Sequence, residues 1–243
     1  MQIDTFAVRL RPRSNMEAAD LGVRLCQSAA KDVFACYWIV GIPTAVLALA
    51  AFQIAAWLPA LLIWLAKPWL DRTILFVLSR AAFGQATRPG DVWRAAREVW
   101  WGQLIRTWTQ RRLSPWRSFT QAVYQLEGLR GAQLRKRVVQ IRHGRTGAAM
   151  LIACVFGLAE LLLTLGLLSL AFWLAPAGYE PTLTKLTTGA ASFADFALQA
   201  AYAAVVLFLE PFFVAAGFAM YLNRRAELEA WDIEQEFRRA FSV

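Results

Sequence analysis

The chain has 243 residues, 58% of them hydrophobic, with a formal net charge of +9, three cysteines and one histidine. A single histidine argues against a His-based metal cluster or a Ser-His-Asp triad, and cysteines without CxxC spacing argue against a disulfide framework or a zinc site. The apolar residues lie in blocks rather than at amphipathic spacing, which is the pattern of an all-α membrane protein rather than of one large soluble domain.

Residues 1–33 read as an N-terminal amphipathic segment. It holds no short apolar run followed by a small-residue cleavage site, so the first span is expected to act as its own insertion signal. Ser14 and Glu17 have the S-x-x-E spacing of a capping box, and Ala18, Leu21, Leu25 and Ala29 continue it at helical spacing. The spacing predicts a helix on the inner membrane surface. A soluble cytoplasmic stub is the other reading, because the apolar face is built largely from small residues. Cys26, Cys36 and Cys154 read as small apolar fillers.

Residues 34–83 predict a transmembrane hairpin. The stretch 34–66 carries no charge at all, and a span needs about 20 residues to cross about 30 Å of hydrocarbon. Helix 1 is expected over 34–52. Helix 2 is expected over 55–78, broken near Lys67-Pro68 because proline removes a backbone donor. The alternative is one long tilted helix followed by an interfacial helix over 69–83.

Residues 84–147 form a basic, tryptophan-rich segment with thirteen Lys or Arg against three acids, and the positive-inside rule makes it cytoplasmic. Trp93, Trp100 and Trp108 recur at helical spacing with arginines on their flanks, which suits an interfacial helix. Arg130, Arg135, Lys136 and Arg137 belong to a second cluster in QLEGLRGAQLRKRVVQIRHGR, expected to contact lipid or a partner, or only to enforce topology. Basic residues among aromatics also suit nucleic acid, but no RNP or GxxG pattern accompanies them, so none is expected as a partner.

Residues 148–222 predict transmembrane helices 3 and 4, at 148–174 and 196–222, each interrupted by one acid, Glu160 and Glu210. An intramembrane carboxylate costs roughly 2.5 to 3.5 kcal/mol on translocon-type scales unless it has a partner or a cavity. Together with Lys67, Asp71 and Arg72 these acids form the candidate intramembrane polar site. Glu210 is expected to pair with Lys67 or Arg72. Glu160 has no evident base at its depth unless helix 2 is a full span, so a neutral, hydrogen-bonded carboxyl is the expectation there. Residues 223–243 predict a cytoplasmic surface helix, opened by Arg224 and Arg225 as lipid or partner contacts. Four spans place both termini inside.

The strings LAKPWLDRTILFVLSRAAFG, RRLSPWRSF, QLEGLRG and LEPFFVAAGFAMYLNRRAELEAWDIEQEFRR together resemble an uncharacterised family of Gram-negative inner-membrane proteins. The ending is also distantly similar to the membrane domain associated with glycerophosphodiester phosphodiesterases, without the catalytic barrel. The resemblance implies the bacterial inner membrane and neighbours encoded beside it: MoxR-type AAA+ ATPases, von Willebrand A-type and transglutaminase-like membrane proteins. It implies partners and no catalytic residues. No nucleophile elbow or P-loop is present, so the expectation is a non-enzymatic scaffold or accessory subunit with no cofactor or metal. The alternative is lipid or ion handling through Glu160 and Glu210.

Overall fold

The helices begin and end where the sequence supplies local reasons. In the computed structural model, which describes residues 13–101, 114–173 and 193–229, the Ser14 hydroxyl accepts from the Glu17 amide at 3.2 Å and opens α1 (Asn15–Ser28). This is the serine half of the expected capping box. Ala29 separates α1 from α2 (Ala30–Ala50), and a 3-10 turn, Ala51–Gln53, ends the first long apolar element. Then come α3 (Leu58–Ala81), α4 (Pro89–Arg94), a π-helical turn (Arg97–Trp101), α5 (Arg117–Leu126), α6 (Gly131–Arg142), α7 (Thr146–Trp173) and α8 (Phe193–Glu229). The described residues contain no strand.

Three stretches are long and apolar enough to cross a membrane: Ala30–Gln53, Thr146–Leu170 and Ala194–Glu229. The expected second span, α3, has the length at 24 residues, but Lys67, Asp71 and Arg72 sit at its middle. It runs unbroken through Pro68, which corrects the expected interruption at Lys67-Pro68. Proline removes one donor from the helical ladder, and the packing that buries Lys67, Pro68 and every residue from Leu70 to Leu75 holds the rest of the helix together. A separate helix over 69–83 is likewise absent, because residues 69–81 continue α3.

α8 is the axis of the bundle. Its 37 residues extend about 55 Å at 1.5 Å per residue, well beyond a hydrocarbon core of about 30 Å. The expected boundary at residue 222 is therefore no boundary, and Arg224 and Arg225 lie inside the same helix. α1, α2, α3, α5 and α7 all pack along it. Small residues permit the closest approaches: a Cβ on Gly22 would overlap the Ala215 carbonyl, and one on Gly217 would overlap Ser118 of α5. α7 is peripheral, with Leu151, Val155, Leu158, Leu162 and Leu165 facing outward.

The basic, tryptophan-rich segment does not continue as one helix from Asp91. α4 ends at Arg94 and the π-helical turn follows, which places Trp100 over α3, where its indole N–H donates to Thr73 Oγ1 at 2.9 Å. Trp93 is exposed against the Trp100 ring, and Trp108 lies outside the described residues. Gly128 and Gly131, with φ of 63° and 61°, take the left-handed conformation that turns the chain from α5 into α6.

The α5–α8 contact yields a stability test. Gly217→Val should lower thermal stability in detergent by the equivalent of about 1–3 kcal/mol through overpacking. Gly166→Ala, which has open space around it, should leave stability level or raise it. Equal effects of the two in thermal unfolding followed by size-exclusion chromatography would remove the close-packing account.

Candidate functional site: a buried charge cluster

Four helices bring charges to one place. Lys67 of α3 lies one turn before Asp71, so both side chains share a helix face. Glu160 comes from α7, Glu210 from α8, and Arg117 is the first residue of α5. The Lys67 ammonium is 2.5 Å from Glu160 Oε2 and 3.1 Å from Glu210 Oε2. Arg117 Nε is 2.8 Å from Asp71 Oδ2, and the same guanidinium donates from Nη2 to Glu210. The chain of contacts thus runs Glu160, Lys67, Glu210, Arg117, Asp71.

Four of the five members are buried, with Asp71 0% exposed, Glu210 3%, Lys67 6% and Arg117 8%, while the Glu160 side chain is 20% exposed. Aromatic faces complete its walls, with Lys67 above the Tyr202 ring at 5.8 Å and Arg117 above Phe213 at 5.5 Å. The Tyr37 hydroxyl is buried with no hydrogen-bond partner among the described residues. Burial works against the Arg117 charge, but Asp71 and Glu210 more than offset it and hold the guanidinium above its ordinary pKa. Three carboxylates face two bases, so the fully ionised cluster carries one net negative charge. Beside it, Trp64, Phe156 and Phe213 line a hollow of about 270 Å³ into which Lys67, Arg117, Glu160 and Glu210 also open.

Of the five residues the sequence nominates, four meet here. Arg72 does not. It points toward the π-helical turn, donating to the Val99 and Glu98 carbonyls, and its own carbonyl accepts from Gln125 at 2.9 Å. Lys67 therefore fills the role offered to either base, and it also corrects the expectation that Glu160 lacks one. A lysine at the centre of an uninterrupted α3 reaches α7 and α8 together. Arg117 is the residue the sequence reading overlooks. Its signal is modest: it is the sole charge in RSFTQAVYQL, of which residues 117–123 are all buried.

The nominated basic residues divide in two. Arg137 bridges Glu127 at 2.8 Å and Glu229, which hold its guanidinium above its ordinary pKa despite partial burial. Arg224 pairs with Glu227 and Arg225 with Glu229, both at 2.8 Å, and Arg145 joins Glu227 at 2.8 Å. Arg137 ties α6 to α8, and Arg145, just ahead of α7, does the same through Glu227, whereas the Arg224 and Arg225 pairs lie within α8. Arg137, Arg224 and Arg225 are thus each engaged in an ion pair within the chain and stay partly exposed. Arg130, Arg135 and Lys136 are exposed and make no ion pair among the described residues.

No protein-family model, curated protein or solved structure matches this chain. Among the described residues no group of His, Cys, Asp or Glu is arranged to hold a metal ion.

Removing one member of a buried pair strands the other, at about 3–5 kcal/mol. Arg117→Met should therefore reduce detergent stability by that order, and adding Asp71→Asn should restore part of it. A double variant no more stable than the single one would show that the two side chains do not act as a pair.

Proposed function

We propose that the protein is a non-enzymatic scaffold or accessory subunit of a bacterial inner-membrane complex. In this reading α3 is a fourth span, both termini and residues 84–147 are cytoplasmic, and the basic segment and C-terminal region receive a partner. The observation that supports it is the use made of the charges. Each intramembrane acid faces a base from another helix, so the cluster works as a clamp between α3, α5, α7 and α8, while unpaired bases remain on the surface at Arg130, Arg135 and Lys136. The resemblance described above suggests a MoxR-type ATPase or a von Willebrand A-type membrane protein as the partner class.

Topology is tested first. With Cys26, Cys36 and Cys154 replaced, Arg130→Cys and Thr188→Cys should label from opposite faces of intact inner-membrane vesicles. Labelling from the same face would defeat the four-span arrangement. The partner is tested next: tagged chain isolated from native membranes should carry a stoichiometric protein that the Arg130→Glu variant loses. A chain that purifies alone under mild detergent would refute the scaffold role.

A second reading, lipid or ion handling, is favoured by the 270 Å³ hollow beside Lys67, Glu160 and Glu210. Under it, Glu210→Gln should leave the chain folded and abolish flux in reconstituted vesicles. Under the clamp reading, the same substitution should lower stability.

A further inference from the structure

A second hollow, of about 1070 Å³, lies between α5 and α6. It shares Ser114, Pro115 and Arg117 with the hollow beside the clamp, but its other charges are unlike the clamp's. Arg135, Lys136 and Arg142 open into it from α6, and no acid among its lining residues answers them. The Arg142 guanidinium stacks 4.7 Å above the Trp116 ring, which fixes it at the edge of the groove without neutralising it. On the α5 side, Gln121 is 1% exposed, and neither its Nε2 nor its Oε1 has a hydrogen-bond partner among the described residues. An amide buried without partners forfeits its hydration, and such a group calls for an occupant or a compensating role.

One wall of the hollow is apolar, built from Pro115, Leu134, Val138 and Val139, while Ser114, Arg117 and Thr120 add further polar groups. The position also matters, because only residues 143–145 separate α6 from α7, a helix apolar enough to cross the membrane. The groove therefore sits within a few residues of a membrane entry point, where headgroups are found.

We propose that the groove between α5 and α6 binds the phosphate of an anionic phospholipid headgroup. Arg135, Lys136 and Arg142 receive the phosphate oxygens as charge-assisted donors. Gln121 supplies one donor and one acceptor to the glycerol or ester oxygens, and the apolar wall takes the first part of the acyl chain. Inorganic phosphate shares the charge but would use neither the apolar wall nor most of a volume at the upper end of ordinary ligand pockets. This site shares Arg135 and Lys136 with the basic surface that the scaffold reading offers to a partner, but lipid binding by the isolated chain is read without any partner present.

The test titrates the full chain in neutral detergent with short-chain phosphatidylglycerol, read by native mass spectrometry, beside short-chain phosphatidylcholine and inorganic phosphate. One phosphatidylglycerol per chain should bind saturably, with phosphatidylcholine far weaker. The Arg135→Gln/Lys136→Gln variant should weaken binding about thirty-fold, the equivalent of ~2 kcal/mol for two cations near an anionic headgroup. Gln121→Leu should also weaken it while thermal stability holds or rises, since an orphaned amide is removed. Arg130→Gln, an exposed base outside the groove, should change nothing. Equal affinity for the two lipids, or a loss in Arg130→Gln matching that of the double variant, would overturn the site in favour of diffuse charge attraction. Displacement of phosphatidylglycerol by millimolar inorganic phosphate would overturn the lipid assignment and make free phosphate the ligand.

Discussion

The structure depends on one guanidinium held in a place where it could not survive alone. Arg117 opens a ten-residue helix that is too short to span a membrane, yet that helix is buried over its first seven residues among α3 and α8. Burying a lone cation costs several kcal/mol, and the arrangement exists because Asp71 and Glu210 stand within reach from two different helices. The position of α5 then dictates others. Gly217 must lack a side chain because Ser118 passes against it, and Lys67 must reach Glu160 because Glu210 is shared with Arg117.

The positive charge of residues 84–147 is less free than a count suggests. Glu127 and Glu229 engage Arg137, Glu227 engages Arg145, and these pairs are only partly exposed. Among the described residues Arg135 and Lys136 of α6 stay exposed and without an ion pair, and Arg142 is held on a tryptophan face. A segment that reads as uniformly basic is thus divided into a structural part and an exposed part.

Much of the fold was legible because hydropathy blocks, a capping serine and intramembrane acids each have a direct physical meaning. Helix type, the three long apolar elements and the partnership of Lys67 with Glu210 follow from such signals. The continuity of α3 was not legible. A Pro-bearing, triply charged stretch looks like a break unless one knows that Glu160, Glu210 and Arg117 will meet it, and those partners are distant in sequence. Arg72 illustrates the same difficulty, since its backbone-carbonyl ligands at Glu98 and Val99 leave no trace in residue type. Arg117 was hidden among thirteen similar charges, and only its uncharged surroundings set it apart.

The clamp also imposes an order of events on biosynthesis. Lys67 and Asp71 emerge from the ribosome long before Glu160 and Glu210, and at roughly 5–20 residues per second the wait for Glu210 is on the order of 10 s. During that interval α3 carries charges whose partners do not yet exist. Its packing through Lys67 has to follow the arrival of α8, which makes that helix the step that commits the earlier ones.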